Sequence, residues 1–97
     1  VKRQYELTVV VRLENNEEVM AAKLDEIQGW IQADGHGEVE KIDRWGRRKL
    51  AYEIDGQREA FYTLFHTLID PKGVGELERN LQLDPSVLRY LMIRAGE

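Results

Sequence analysis

The run Arg44-Trp45-Gly46-Arg47-Arg48-Lys49 sets four cations and an indole within six residues. Clustered guanidinium groups bind phosphate oxygens bidentately, and an indole can stack on a base or a ribose. The chemistry suggested is nucleic-acid contact. Lys2 and Arg3 at the start of the chain extend this candidate set, and Arg89 and Arg94 on the last strand belong to another edge or to an open sheet face. Basic residues on edge strands also deter edge-to-edge aggregation. Short basic runs are weakly specific, so spacing alone leaves both uses open.

Other chemistries find little support. His36 sits in a Gly-His-Gly loop and His66 in a strand pattern, and neither has a second His or Cys at metal-ligand spacing, so no metal site is expected. The chain has no cysteine, which removes disulfides and thiolate nucleophiles and is compatible with a reducing, cytoplasmic setting. Carboxylates are plentiful but scattered, without an evident acid/base pair. Gly73-Val74-Gly75 falls inside a helical pattern and is no phosphate loop. Neither an enzyme nor a cofactor is expected. A net charge of −4 argues against a generally basic nucleic-acid coat but tolerates a local patch.

These residues must be positioned by one domain, residues 1–97, long enough for a single modest core. No apolar run approaches the ~20 residues that cross a bilayer, and no signal-peptide core leads the chain. A first residue other than Met suggests a processed or trimmed start. Tyr5 to Leu13 is rich in β-branched residues and reads as a central strand. Asn15 or Asn16 can cap a following helix whose apolar face is Met20, Leu24, Ile27 and Ile31. Gly35-His36-Gly37 ends it. A second strand starts near Glu38, bends or bulges at Trp45-Gly46, and resumes with Leu50, Tyr52 and Ile54. Asp55-Gly56 turns into a third strand from Ala60 to Ile69. Asp70-Pro71 starts a second helix with a stripe of Val74, Leu77 and Leu81, and Val87 to Arg94 is a last strand before the tail Ala95-Gly96-Glu97. Gly73 and Gly75 each weaken that helix by roughly 1 kcal/mol relative to Ala.

The order β-α-β-β-α-β most economically folds as an α+β, ferredoxin-like domain: a four-stranded antiparallel sheet with two helices on one face. The first and third strands are then central. Leu7, Val9 and Val11 face the helices, while Glu6, Thr8 and Val10 face the open side. The third strand is apolar on both faces. Pairing Tyr62 and Leu64 with Leu91 and Ile93 gives an apolar patch on the open face, suited to a protein partner, unless flanking side chains shield it. Strand aromatics invite comparison with the RNA recognition motif, but the segment Glu59 to Phe65 lacks that motif's basic-Gly-aromatic-Gly opening.

Three segments together resemble the bacterial small-subunit ribosomal protein S6 family over nearly the full length. They are Arg3-Gln4-Tyr5-Glu6, Trp45-Gly46-Arg47-Arg48-Lys49-Leu50-Ala51-Tyr52 and Val87-Leu88-Arg89-Tyr90-Leu91-Met92-Ile93-Arg94. The middle segment is the most specific. The resemblance implies a non-catalytic, cytoplasmic ribosomal protein that binds the central domain of the small-subunit rRNA together with ribosomal protein S18 during assembly. Arg3, Arg47, Arg48, Lys49, Arg89 and Arg94 match positions where the family is commonly basic, and Tyr5 matches its N-terminal aromatic; with Lys2, Arg44 and Trp45 from the basic clusters they form the expected RNA set, while the apolar open-face or edge positions Val10, Tyr62, Leu64, Leu91 and Ile93 are the expected set for the protein partner. No membrane and no small-molecule substrate are implied. Glu53 stands where the family usually has Pro, restoring a backbone donor on an edge strand; Gln4 stands where many relatives carry a base or His. The chain also stops at Glu97, without the charged extension of some members. Two readings share the topology: a small-molecule-sensing regulatory domain, and an acylphosphatase-like enzyme. The latter needs an Arg loop after the first strand, where Glu14-Asn15-Asn16-Glu17-Glu18 is acidic.

Overall fold

Alternation of Leu7, Val9 and Val11 buries one face of β1 (Arg3–Arg12), which becomes a central strand. The structure is a computed structural model that describes residues 1–14 and 16–95. Asn16 caps α1 (Glu17–Gln32): its side chain accepts a 2.8 Å hydrogen bond from the Glu18 backbone N–H. The alternative cap Asn15 and the tail residues Gly96 and Glu97 lie outside the described residues. Met20, Leu24, Ile27 and Ile31 are the buried stripe of α1, as their spacing predicts. A 3₁₀ turn (Ala33–Gly35) closes the helix, with Asp34 as well as Gly35 in the left-handed region.

The remaining elements are β2 (Gly37–Ile54), β3 (Gln57–Ile69), α2 (Pro71–Leu83) and β4 (Val87–Arg94). The sheet order is β2-β3-β1-β4, antiparallel throughout, with β1 and β3 central. This is the ferredoxin-like arrangement. One core joins Leu7, Val9 and Val11 to the two helices and to Phe65 and Ile69 of β3. It settles the facing of β3: Thr63, Phe65, Thr67 and Ile69 are buried on the helix side, leaving Tyr62, Leu64, His66 and Leu68 on the open face. β3 and β4 do not pair, since β1 lies between them; Leu64 and Leu91 both stand opposite Thr8, one on each side.

The two buried threonines differ. Thr67 Oγ1 donates to the Tyr5 carbonyl at 2.9 Å, whereas Thr63 Oγ1 has no hydrogen-bond partner among the described residues. An orphaned buried hydroxyl costs roughly 1–3 kcal/mol. Thr63→Val keeps the shape and removes the hydroxyl, so the urea midpoint is expected to rise, while Thr67→Val lowers it. Equal losses from both would show that Thr63 is satisfied.

Glycine also plays two roles in α2, which Asp70 caps by accepting from the Lys72 N–H. A Cβ at Gly73 would lie 2.6 Å from His36 Cβ, so this glycine lets the helix pass the loop before β2. At Gly75 a Cβ meets nothing within 4 Å. Gly75→Ala should therefore stabilise by up to about 1 kcal/mol and Gly73→Ala should destabilise. Chemical denaturation of the two variants checks this, and a gain from both would refute the close approach.

Lys23 ties α1 to the segment before β4, reaching Glu26 and Asp84 at 2.6 Å each. Burial alone would push the Asp84 carboxyl up, but hydrogen bonds from Lys23 and the Ser86 N–H, with the lysine charge, hold it below its ordinary value. At Asp70 the main cause of a lowered pKa is the Lys72 N–H. Depressed carboxyls contribute stability that is complete above the unfolded value near 4 and disappears as pH falls through the folded values. Unfolding midpoints should therefore drop below about pH 4, and Asp84→Asn should flatten that acid limb; an unaltered limb would remove Asp84 from the explanation.

Candidate nucleic-acid interface

The bulge predicted at Trp45-Gly46 is present and decides where the basic run points. Register slips between Arg44 and Gly46 as Gly46 takes φ +79°. Arg44 stands opposite Thr63 and Arg47 opposite Phe61, both on the helix side. Trp45 is the extra residue. It turns to the open face, stacks against Tyr62 with ring centroids 6.4 Å apart and planes 15° apart, and shares a shallow depression with Tyr62 and Arg48. The run is thus split between two faces of an edge strand. Arg44 rims a separate hollow against Glu17, Glu18 and Leu24 of α1. Arg47 is neutralised by Glu59 at 2.7 Å, and Lys49 stands opposite Glu59 in register.

The distal part of the β2–β3 hairpin bends across the open face. Arg89 of β4 lies 5.2 Å from the ring centroid of Tyr52 on β2. These strands are opposite edges of the sheet, roughly 14 Å apart at ~4.8 Å per strand, so only a curled hairpin brings the residues together. This cover accounts for the burial of Ala60 and Val10 although both face the open side. Val10, 5% exposed, therefore offers no surface to a partner as it stands. The family's proline position carries Glu53, which pairs with Arg58 across the hairpin at 3.4 Å.

Three cations surround the ring pair. Arg48 and Arg12 flank Ala60 in register, and Arg89 lies beside Val10, itself paired with Tyr62. Among the described residues none of the three has a carboxylate partner. Arg12 and Tyr52 were not among the expected residues. Extending the alternation Glu6-Thr8-Val10 by one step places Arg12 on the open face; the Tyr52 contact depends on the curl of the hairpin, which no local pattern encodes.

The N-terminal candidates do not join this cluster. Arg3 stands opposite Ile69, eight residues along β1 from the Val11–Phe61–Arg47 row and about 26 Å away. That exceeds two Debye lengths at physiological salt. Lys2 is paired with Glu38 at 3.0 Å. Tyr5 packs partly into the core, and Arg94 lies opposite Tyr5 at the same far end.

The open face changes character along the strands. Beyond the cationic end come Leu64, Leu91 and Ile93, the last two about half exposed. Beside them, Asp43 accepts a 2.8 Å hydrogen bond from His66 Nε2, and His66 Nδ1 lies 3.8 Å from Glu6. The His66 contact, aided by Lys41, holds the Asp43 carboxyl below its ordinary value despite partial desolvation. No group of His, Cys, Asp or Glu among the described residues is arranged to hold a metal ion. No described helix is long and apolar enough to cross a membrane.

The family model described as ribosomal protein S6 matches residues 4–94. The small ribosomal subunit protein bS6 of Alkaliphilus metalliredigens is 44% identical, covering 97% of this chain and 98% of its own. That of Salinispora arenicola is 45% identical over 95% of both chains. The crystal structure of 30S ribosomal protein S6 from Thermotoga maritima superposes with a TM-score of 0.89 at 27% identity, covering 98% of this chain and 89% of that one. The C-terminal domain of the MgtC protein from Mycobacterium tuberculosis, at 16% identity and a TM-score of 0.59, covers 97% of this chain and 88% of that one and shares the fold alone. With the family model spanning nearly the whole chain and relatives above 40% identity, the chain belongs to the ribosomal protein S6 family.

Proposed function

We propose that this protein is a non-catalytic constituent of the small ribosomal subunit in the cytoplasm. In this reading it binds the central domain of the small-subunit rRNA together with ribosomal protein S18 during assembly. The observation that carries the RNA half is the set Arg12, Arg48 and Arg89, three guanidiniums without carboxylate partners among the described residues, around the half-exposed Trp45 and the partly buried Tyr62 that it stacks on. Elsewhere on the open face and its hairpin, Lys2, Lys41, Arg47 and Arg58 are each compensated by an acid. Three phosphate contacts are few, so the isolated protein binds RNA weakly.

The partner half rests on charge and apolarity at the other end of the face. Leu64, Leu91 and Ile93 lie in rows that also hold Asp43 and Glu6. That mixture suits a basic partner, which supplies the positive charge that an acidic protein lacks. Tyr62 leaves this partner set because it stacks with Trp45 at the cationic end. The pairing is tested by calorimetric titration with S18 in the absence of RNA. Leu91→Asp is expected to abolish heat of binding while Arg48→Glu leaves it intact. The reverse pattern would exchange the two ends. A likeness of fold carries no function by itself, so the regulatory-domain reading gains nothing from the shared topology.

A further inference from the structure

Phosphate contacts account for guanidinium groups and leave the ring pair without a use. Trp45 is 46% exposed, an uncommon setting for an indole on a sheet edge, and the bulge at Gly46 is what aims it at the open face. Its plane lies 15° from that of Tyr62 with the ring centroids 6.4 Å apart, and Trp45 keeps nearly half of its surface open to solvent. Arg48 shares the rim of the same depression. Arg89 is held near Tyr52 on the far side, so cationic groups flank the rings from both edges of the sheet.

We propose that Trp45 and Tyr62 form a stacking platform for one unstacked base of a single-stranded RNA segment, with Arg48 and Arg89 holding phosphates on either side of it. The proposal rests on the RNA-binding reading above and adds which part of an RNA is engaged. In an A-form duplex the base faces are occupied by their neighbours, so exposed rings select loops, bulges and junctions. Because every base has a π face, the platform tolerates sequence. Its rings come from a bulged edge strand and a central strand, which is why the segment Glu59 to Phe65 carries no RNA recognition motif fingerprint.

The test uses the full chain carrying Trp30→Phe, so that Trp45 is the sole indole reporter. Single-stranded poly(A) is expected to quench Trp45 fluorescence saturably, and the same strand annealed to poly(U) to quench it far less. Read by the anisotropy of an end-labelled poly(A) strand, which needs no indole, Trp45→Leu is expected to weaken poly(A) binding about tenfold, the scale of one base stacked on one aromatic ring. Trp45→Phe should restore much of the loss. Neither change should alter the salt slope, since no phosphate contact is removed. Affinity for a central-domain rRNA fragment in the presence of S18 is measured in parallel. Unchanged poly(A) affinity in Trp45→Leu, alongside a loss in Arg48→Glu, would overturn the platform and leave the RNA reading standing. Quenching by S18 and not by poly(A) would overturn it in favour of a protein contact. Absence of binding to either RNA by any variant would overturn both readings.

Discussion

Phe65→Ala is expected to lower the unfolding free energy by about 3–5 kcal/mol, the range for emptying a fully buried aromatic site. Phe65 is 0% exposed on the central strand β3, between Leu7 of β1 and Ile42 of β2 in register. Both helices pack over the same core. A domain of this size has only about 5–15 kcal/mol in total, so the variant should sit near the edge of folding at ambient temperature. Urea denaturation followed by circular dichroism measures it. A loss below about 1 kcal/mol would mean that the core collapses around the missing ring, contrary to close packing at this position.

Arg48→Glu should have the largest effect on RNA. Arg48 lies on the open face beside the ring pair and has no acid to neutralise it among the described residues. Reversal removes the phosphate contact proposed for Arg48 and adds repulsion, so the log–log salt slope should shrink by about 1 and affinity at low salt should fall by roughly tenfold or more. Arg47→Glu provides the internal comparison. Arg47 points to the helix side and is paired with Glu59, so its reversal should cost RNA binding much less. If the two variants behave alike, the bulge does not sort the basic run as described.

Much of the fold was legible because its signals are local and agree with one another. Met20, Leu24, Ile27 and Ile31 at helical spacing, the Asp70-Pro71 helix start and the Asp55-Gly56 turn each specify a conformation through nearest neighbours. The site was legible only in part. The density of charge at Arg44 to Lys49 marked a candidate segment, and the glycine at 46 marked the bulge that is present there. Which cations would face the same way depended on how the bulge resets alternation, a register question settled by pairing with β3. Lys2 and Arg3 looked like additions to the patch because sequence shows the sign of a charge and not the strand end at which it falls. Arg12 was missed although two-residue alternation reaches it. Tyr52 and the burial of Val10 follow from the hairpin curling over the sheet, a tertiary event without a local signature.

In the function proposed above, RNA affinity is shared between this protein and S18. It is tested most directly by titrating the protein into a central-domain rRNA fragment, with and without S18, at two salt concentrations. Weak, salt-sensitive binding alone and tight binding with S18 present are the expected results, with the Arg48→Glu loss evident in the joint complex. Equal affinity with and without S18, or no binding under either condition, would contradict it.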